Sequence, residues 1–279
     1  MVKEDFIRAK RRGKKWVMLT AYDAPTAELL EASGVDLILV GDSLGMVLLG
    51  YPSTVQVTMD EMIHHAKAVR RGAKRSFIIG DLPLKGIEKG PRQALDSARR
   101  FLKEGGCDAV KLEWGRRALE TADFLIKHKI PLMGHVGLTP QTAAQRGGFR
   151  VQAQDAAGAF AVQRQAEFFE KRGVFSVLLE CVPVPVAKSI TEKLAVPVIG
   201  IGAGPHCDGQ VLVFHDLVGI FKKFTPRFVK RYAQLDDAMQ KAVAAYVKEV
   251  RAGTFPRKEH GFMMKKEELA KFEAATNGR

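Results

Sequence analysis

Acidic side chains follow several short apolar runs of this sequence, and these residue types could carry chemistry. Carboxylates that meet at one place repel one another unless they share a proton or a divalent cation, and oxygen ligands suit Mg²⁺. A single Asp after a strand is, by contrast, more often a turn or helix-cap residue. Taken as a set, the polar residues that end the apolar runs predict one site, formed by Asp42 with Ser43, Asp81, Glu113, His135 and Glu180.

Lys111 precedes Glu113 by two residues in the run Lys111-Leu112-Glu113. On a β-strand this spacing places both side chains on the same face. The residues alone leave two interpretations open. The two side chains can form an ion pair that closes the end of the fold, or Lys111 can hold a substrate carboxylate while Glu113 supports a metal site.

A glycine-rich run, Gly200-Ile201-Gly202-Ala203-Gly204, follows a later apolar segment. Such a run can form a backbone cradle for phosphate, or it can let a flat substrate or the chain itself approach closely. No basic residue stands beside the run, so its indication of a phosphate site is weak. The cysteines Cys107, Cys181 and Cys207 have no CxxC spacing, which disfavours a disulfide framework or a zinc site and predicts core residues.

Eight short runs rich in Val, Ile and Leu alternate with longer segments of helical periodicity, and these elements must position the polar residues. Strands that are apolar throughout and alternate with helices favour a parallel sheet covered on both faces, and eight such units favour a (β/α)₈ barrel. Barrels of this kind place their sites at the carboxyl ends of the strands. The predicted strands are 16–22, 36–41, 76–80, 108–113, 130–136, 174–180, 196–201 and 210–215.

The alternative fold is an open, doubly wound sheet. Its dinucleotide-binding form needs GxGxxG after the first strand, where this chain has LTAYDAP, so the barrel is favoured. Beyond the eighth strand, apolar residues at helical spacing predict helix over 226–252, and a charged terminal helix is predicted over 265–275. We therefore predict a single-domain (β/α)₈ barrel with a C-terminal helical extension: a catalytic barrel, residues 1–255, and a charged tail, residues 256–279.

The formal net charge of the 279 residues is +13, and its distribution disfavours a nucleic-acid-binding protein. Residues 1–15 hold seven Lys and Arg against two acids, and residues 220–279 hold fourteen against seven, so the segment with the candidate site is nearly neutral. Terminal basic runs are usually solvated, and no recognition motif for nucleic acid is present. No stretch has the length of a membrane span, and the start lacks an apolar signal segment. We expect a cytoplasmic enzyme that binds neither nucleic acid nor membrane.

The chain also contains several sequence motifs that carry a family resemblance, namely LTAYDAP, GDS, GDLP, KLEWG, GHVGLTPQ, LLECVP and IGIGAGPHCDGQVLVFHDLVG. Within residues 3–255 the chain resembles the ketopantoate hydroxymethyltransferase family of pantothenate biosynthesis. The resemblance implies a (β/α)₈ barrel, Mg²⁺ as cofactor, the 2-oxo acid 3-methyl-2-oxobutanoate as substrate and 5,10-methylenetetrahydrofolate as hydroxymethyl donor. It also implies a homo-oligomer, commonly a decamer.

The resemblance assigns metal ligands motif by motif. Asp42 of GDS and Asp81 of GDLP are implied as ligands of the metal ion, which also places them against the bound oxo acid. Glu113 of KLEWG is implied as part of the metal site at longer range.

The resemblance also assigns the residues that handle the substrate. It implies that Ser43 and Lys111 bind the oxo acid, and that His135 of GHVGLTPQ is a pocket residue near it. Glu180 of LLECVP is implied as the general base that removes a proton from C3. The family motifs do not account for the tail from residue 256 onward.

Two other functions stay open on the residues alone. A Mg²⁺-dependent lyase or mutase acting on a 2-oxo acid, related to phosphoenolpyruvate mutase or isocitrate lyase, would use the same carboxylates but would need no folate. A basic barrel that binds RNA or another polyanion would use the terminal charge, and its binding would have to persist at about 0.15 M salt.

Overall fold

The computed structural model describes residues 1–146, 148 and 150–276, and of residues 144–146 it describes the backbone only. Its strands are β1 Trp16–Thr20, β2 Leu37–Val40, β3 Phe77–Asp81, β4 Ala109–Glu113, β5 Leu132–Gly137, β6 Ser176–Glu180, β7 Val198–Ile201 and β8 Gly209–Leu212. Each strand pairs in parallel with the next, and β8 pairs with β1, so the sheet is a closed barrel. The predicted (β/α)₈ barrel is confirmed, and the open doubly wound sheet is wrong because this sheet has no free edge.

Helices alternate with the strands along most of the chain. Their ends carry the expected caps: the Asp155 side chain accepts a hydrogen bond from Gly158 N at 2.7 Å at the start of one helix, and Gly173, with φ +100°, ends it. The helices are α1 Lys3–Arg11, α2 Ala24–Ala32, α3 Leu44–Val47, α4 Met59–Gly72, α5 Pro91–Lys103, α6 Ala118–Lys127, α7 Ala156–Arg172, α8 Val184–Lys193, α9 Phe214–Leu217, α10 Leu235–Arg251 and α11 Lys266–Thr276. Short 3₁₀ helices lie at Thr54–Gln56, Leu84–Gly86, Pro140–Arg146 and Lys258–His260.

Alternate residues of each strand face the barrel interior and the surrounding helices. In β4, Ala109 belongs to the apolar cluster inside the barrel, whereas Val110 and Leu112 belong to the larger cluster between strands and helices. Lys111 and Glu113 follow Ala109 at intervals of two and line the cavity at the end of the barrel. The prediction that these two side chains share a face is confirmed.

Two strand glycines allow helices to pack directly on the barrel. A Cβ on Gly80 of β3 would lie 2.3 Å from the Phe101 ring of α5, and one on Gly134 of β5 would lie 2.4 Å from the Phe169 ring of α7. Both rings are fully buried. The glycines therefore set the strand-to-helix distance just below two of the candidate site residues.

Helix α1 closes the amino end of the barrel with an aromatic plug. Phe6 is 1% exposed, and its ring stacks on Trp16 at 4.8 Å between centroids. It also lies 4.7 Å from the Phe175 ring and 5.4 Å from the Phe77 ring. Because Trp16 and Phe77 begin β1 and β3, and Phe175 directly precedes β6, the plug joins strands that are distant in sequence.

Lysines of the basic N-terminal segment bind the same end of the barrel. Lys10 Nζ lies 2.9 Å from Asp208 Oδ2 and donates to the carbonyl oxygens of Thr191 and Val196. Lys14 Nζ lies 2.7 Å from Asp36 Oδ1. Part of the terminal charge is therefore paired within the fold and is not a solvated face.

The chain after β8 differs from the prediction. β8 ends at Leu212 and not at residue 215, because Phe214 N donates to Thr20 Oγ1 at 3.0 Å and starts the short helix α9. The predicted helix over 226–252 begins only at Leu235, and residues 220–234 contain neither helix nor strand. Val229 N donates to the carbonyl of Pro226 in a turn, and Tyr232 N donates to the carbonyl of Leu217 at 2.8 Å, so this segment is held in a non-helical path.

Residues 1–232 form one compact unit and residues 233–279 form another. The first contains the whole barrel. The second contains α10 and α11, and α11 confirms the helix predicted over 265–275. The division into a catalytic domain, residues 1–255, and a tail, residues 256–279, stays a prediction. Within the described part of the chain, no helix combines the length and the apolar character that crossing a membrane would take.

Candidate active site

A cavity of about 360 Å³ opens at the carboxyl ends of the strands. Its wall contains every residue that the sequence analysis predicts for the site. These residues are Asp42, Ser43, Asp81, Lys111, Glu113, His135 and Glu180.

The strand register places the polar side chains next to one another. Asp81, the last residue of β3, pairs with Lys111 on β4. Glu113, the last residue of β4, pairs with His135 on β5. Glu180 ends β6 and pairs with Gly137 at the end of β5. The acidic ends of successive strands therefore meet because the closed barrel brings them to the same level.

The Lys111 ammonium lies at the centre of the site. Its side chain is 3% exposed, and Nζ lies 2.8 Å from Asp81 Oδ1 and 3.7 Å from Glu113 Oε1. Burial opposes the charge of this group, but the surrounding carboxylates outweigh it and raise the pKa of Lys111. Nζ also lies 3.2 Å from His135 Nδ1, which accepts because an ammonium can only donate. Lys111 thus forms ion pairs and faces the cavity at the same time.

Asp42 and Asp81 form a strained pair of carboxylates. Asp42 N donates to Asp81 Oδ2 at 3.2 Å, and both residues are buried. Burial raises the pKa of Asp42 well above its usual value, and repulsion from Asp81 and Glu113 raises it further. Burial also raises the pKa of Asp81, although the Lys111 ammonium partly offsets this. A cation between the two carboxylates would stabilise both ionised forms.

Among the predicted site residues, two buried polar atoms make no hydrogen bond to any described residue: Asp81 Oδ1 and His135 Nε2. The Lys111 ammonium is close to the first but is not aligned to donate to it. His135 Nε2 lies 3.2 Å from Glu180 Oε2, also without hydrogen-bond alignment. Buried polar atoms usually have partners, so His135 Nε2 is available to a ligand, whereas Asp81 Oδ1 has the Lys111 ammonium beside it as an ion-pair partner.

Glu180 is the most exposed carboxylate of the group, with 15% of its side chain accessible against 3% for Glu113. It is followed by Cys181, whose φ of +49° lies in the left-handed region that residues with a Cβ rarely adopt. This turn ends β6 at Glu180 and leaves the carboxylate at the rim of the cavity. Cys181 and the other two cysteines are free and buried, as the sequence analysis expects.

The sequence analysis missed two residues that orient the site. The Gln141 side chain is buried and donates to Asp42 Oδ2 and to the Leu82 carbonyl, both at 2.9 Å, while its backbone N donates to Glu113 Oε2 at 3.2 Å. The Tyr22 hydroxyl and Ser43 Oγ are 2.8 Å apart in a hydrogen bond. Both residues lie inside motifs quoted above, but neither residue type signals a role by itself.

The glycine run after β7 allows other parts of the chain to pack closely against it. A Cβ on Gly202, whose φ is +62°, would lie 2.7 Å from the Phe228 ring. One on Gly200 would lie 2.7 Å from Cys207 Sγ. Of the two functions left open for this run, the structure supports close packing.

The donor set fits Mg²⁺, although the described residues include no group of three His, Cys, Asp or Glu side chains placed to hold a metal ion. Proteins commonly hold Mg²⁺ through one or two carboxylates and leave the other positions to water and substrate oxygens. Asp42 and Asp81 match this pattern, since both buried carboxylates line the cavity. Glu113 is engaged by Gln141 N and by Lys111, so its part in the metal site stays a prediction of longer-range support.

Comparison with known proteins agrees with the resemblance seen in the motifs. The model of the ketopantoate hydroxymethyltransferase family matches residues 1–258. The 3-methyl-2-oxobutanoate hydroxymethyltransferase of Oleidesulfovibrio alaskensis is 50% identical over 272 residues, which cover 98% of this chain and 94% of the relative. The protein of the same name from Thermus thermophilus is 54% identical over 259 residues, or 93% of this chain and 98% of the relative.

Solved structures share the fold at much lower identity. Phosphonopyruvate hydrolase in complex with oxalate and Mg²⁺ superposes with a TM-score of 0.61 at 14% identity, over 100% of this chain and 97% of that chain. 2,3-Dimethylmalate lyase, a member of the PEP mutase/isocitrate lyase superfamily, gives a TM-score of 0.60 at 13% identity, over 99% and 93%. At this identity the likeness establishes the barrel fold alone. Because the family model covers the whole barrel and the relatives are identical at about half of the aligned positions, this chain belongs to the ketopantoate hydroxymethyltransferase family.

Proposed function

We propose that this chain transfers a hydroxymethyl group from 5,10-methylenetetrahydrofolate to 3-methyl-2-oxobutanoate, forming 2-dehydropantoate, with Mg²⁺ as cofactor. One observation carries the proposal. In a chain of this family, a buried ammonium, two buried carboxylates and a more exposed carboxylate converge on one cavity, from Lys111, Asp42, Asp81 and Glu180 respectively. This arrangement matches the needs of a reaction that removes a proton next to a keto group.

Lys111 and Ser43 bind the oxo acid in this proposal. The Lys111 ammonium faces the cavity and is kept protonated by its neighbours, so it can meet the substrate carboxylate in a charge-assisted hydrogen bond. Ser43 Oγ, positioned by the Tyr22 hydroxyl, can bind a second oxygen of the substrate. His135 Nε2, which makes no hydrogen bond to a described residue, is another polar atom beside the proposed substrate position.

Asp42 and Asp81 hold the Mg²⁺ ion, and Gln141 fixes Asp42 through the 2.9 Å hydrogen bond to Oδ2. When bound, the ion supplies Lewis-acid stabilisation of the negative charge that develops on the keto oxygen. Glu113 supports this part of the site by keeping Lys111 and Gln141 in place.

Glu180 acts as the general base. It removes the proton from C3 of the oxo acid, and the C–H electron pair moves into the C2–C3 bond. The carboxylate suits this role because it reaches the cavity from the rim and His135 Nε2 lies 3.2 Å from it. The nucleophilic C3 then attacks the methylene carbon of the folate iminium, and the C=N electron pair moves onto the folate nitrogen. Water next displaces tetrahydrofolate from this carbon: the C–O bond forms, the C–N bond breaks, and one proton of the water passes to the nitrogen, which releases the hydroxymethyl product and tetrahydrofolate.

The Mg²⁺-dependent lyase or mutase is the second candidate. The solved structures with this barrel include a mutase and a lyase, but these share only 13–14% of their residues with this chain, against 50–54% for the hydroxymethyltransferases. The higher identity favours carbon transfer. A lyase would consume its substrate with no folate present, which separates the two reactions.

The same family membership supports three further parts of the proposal. We infer that the enzyme works in the cytoplasm, that its partners are its two small-molecule substrates and not nucleic acid or membrane, and that it assembles as a homo-oligomer, commonly a decamer in this family. Analytical ultracentrifugation at two protein concentrations tests the assembly, and a monomer at both would contradict it.

One assay tests the proposed function. The protein is incubated with 3-methyl-2-oxobutanoate, 5,10-methylenetetrahydrofolate and Mg²⁺, with and without a chelator, and 2-dehydropantoate is measured. Product that requires all three components and disappears with chelator supports the proposal. Consumption of the oxo acid without folate would instead identify a lyase.

A further inference from the structure

The cavity has a second part that the oxo acid chemistry does not use. Opposite the carboxylates of β2–β6, the segment after β8 supplies a wall of apolar side chains, among them Val213, Phe221 and Phe224. This wall is too large and too apolar to be needed by a five-carbon oxo acid. It is where the second substrate has room to bind.

Asp216 interrupts this apolar wall. It is 9% exposed, it lines the cavity, and its carboxylate makes no hydrogen bond or ion pair to a residue that the structure describes. Burial raises the pKa of Asp216 to about 6, and Arg231 offsets the effect only from a distance. Buried carboxylates normally have donors, so this one is placed to accept hydrogen bonds from a ligand.

The neighbourhood of Asp216 connects it to the oxo acid end of the cavity. The His215 ring lies 5.4 Å from the Tyr22 ring, and the Tyr22 hydroxyl is hydrogen-bonded to Ser43. A ligand ring bound to Asp216 at one edge can therefore extend its opposite edge toward the position proposed for the oxo acid.

The outer part of the same cavity carries positive charge. Arg150 and Arg227 both line it and are exposed, and neither forms an ion pair within the described part of the chain. The cavity thus offers an acceptor inside, aromatic rings beyond it and guanidinium groups at the mouth. A folate has the complementary order: a pterin edge with an N3–H and an amino group, an aromatic middle and a glutamate tail.

We propose that the Asp216 carboxylate accepts the N3–H and amino hydrogens of the pterin edge, while Arg150 and Arg227 bind the carboxylates of the glutamate tail. The proposal rests on the proposed function, because it requires a folate as the second substrate. It assigns the orientation of that folate: pterin toward Ser43, tail toward solvent.

The first test is Asp216→Asn in the full-length protein. Asn keeps the size of Asp but presents an N–H where the carboxylate presents only acceptors, so the KM for 5,10-methylenetetrahydrofolate should rise about 10- to 100-fold. The KM for 3-methyl-2-oxobutanoate should change less than about twofold. Asp96→Asn, on the exposed face of α5, is the matched control and should leave both constants at the parent values.

The second test uses Arg227→Gln with two donors, the folate and its analogue without the glutamate. The KM for the folate should rise about tenfold, and the KM for the tail-less analogue should stay unchanged. Because Arg227 is exposed, this variant keeps the proposal testable if Asp216→Asn fails to fold.

The outcomes distinguish a failure of the proposed function from a failure of the assignment of the folate-binding residues. If the parent protein forms no product from methylenetetrahydrofolate, the proposed function is wrong. If the parent does form product but Asp216→Asn keeps its folate KM, or both substrate KM values rise equally, only the assignment of Asp216 is wrong. An equal effect of Arg227→Gln on both donors would overturn the assignment of the tail.

Discussion

At the amino end of the barrel, the Lys10 ammonium has the Asp208 carboxylate at 2.9 Å and two backbone carbonyls as partners. At the carboxyl end, Asp81 Oδ1 and His135 Nε2 are buried and make no hydrogen bond to a described residue. The two ends are built from the same strands, so the difference lies in the side chains and in the segments that cover each end. The amino end pairs its charged side chains within the fold, although the buried Trp16 Nε1 there has no hydrogen-bond partner among the described residues, and the carboxyl end directs its charged and polar groups into a cavity that can hold ligands.

This comparison predicts opposite effects of substitutions at the two ends. Changes at the amino end should lower stability and leave the turnover of each folded molecule unchanged. Changes at Asp42 or Asp81 should lower turnover and leave stability unchanged or improved, because folding raises the pKa of both carboxyls and a site built for charged ligands is destabilising without them.

Asp42→Asn should have the largest effect on activity. Loss of one proposed Mg²⁺ ligand should lower turnover on the order of 10⁴-fold, about 5 kcal/mol of barrier. The same substitution should raise the metal-free melting temperature at pH 7, because burial and repulsion raise the pKa of Asp42 and its ionised form destabilises the fold. Steady-state kinetics and thermal denaturation measure the two effects.

The pH dependence of this gain in melting temperature tests whether the ionised Asp42 carboxylate causes it. A carboxyl whose pKa is raised on folding contributes stability below its unfolded pKa, about 3.9, and loses it as the pH rises. The advantage of Asp42→Asn should therefore be present at pH 7 and vanish near pH 4. A variant that melts lower than the parent at pH 7 and binds Mg²⁺ with parental affinity would contradict both roles of Asp42.

Phe6→Ala should have the largest effect on stability. It removes the ring at the centre of the aromatic plug and should lower the free energy of unfolding by about 3–5 kcal/mol. Turnover per folded molecule should be unchanged. Urea denaturation measures the loss, with Phe160→Ala as the control, since Phe160 is 63% exposed and its loss should cost less than about 0.5 kcal/mol. Equal losses in both variants would show that α1 is not a plug.

Lys111→Met distinguishes binding from ion pairing at the carboxyl end. If Lys111 meets the substrate carboxylate, the KM for the oxo acid should rise about 100-fold, or about 3 kcal/mol, and the KM for the folate far less. Lys127→Met, at an exposed position of α6, should change neither constant. A variant that unfolds well below the parent but keeps its oxo acid KM would assign Lys111 to the ion pair alone.

Lys10→Met should have the smallest effect. Its ion pair is partly buried, with 15% of the Lys10 side chain exposed, so its loss should cost about 1–2 kcal/mol of unfolding free energy, between the values for exposed and buried pairs. Turnover should not change. Arg11→Met, at an exposed neighbouring position, should be within error of the parent, and the same denaturation experiment compares all three proteins.

The strands could be predicted from the sequence because each is a short apolar run, and the acidic residues stood out because they end such runs. The prediction was less accurate after β8. The apolar run over 210–215 continues past Leu212, but the hydrogen bond from Phe214 N to Thr20 Oγ1 ends the strand, and that bond joins residues 194 apart. A tertiary contact of this kind has no local sequence signal.

Only part of the candidate site could be predicted, because some of its residues have a local sequence signal and others act only through tertiary contacts. Asp42, Asp81 and Glu180 carry a charge directly after apolar runs, whereas Gln141 and Tyr22 are neutral and act through hydrogen bonds that only the folded chain forms. Asp216 had a usable signal, since it directly follows the eighth predicted strand. The aromatic plug could not be predicted, because Phe6 stands alone within a basic segment.

In the proposed reaction, Glu180 removes the C3 proton of an oxo acid held at the carboxyl end of the barrel. The direct measurement is deuterium uptake at C3 of 3-methyl-2-oxobutanoate in D₂O with Mg²⁺ and without folate, followed by proton NMR. Glu180→Gln should keep Mg²⁺ and oxo acid binding but slow the deuterium uptake about 10²- to 10⁴-fold, because Gln cannot accept a proton. The control Glu192→Gln, on the exposed face of α8, should exchange at the parent rate. Exchange at the parent rate in Glu180→Gln would show that Glu180 is not the general base, and His135 would be the first alternative.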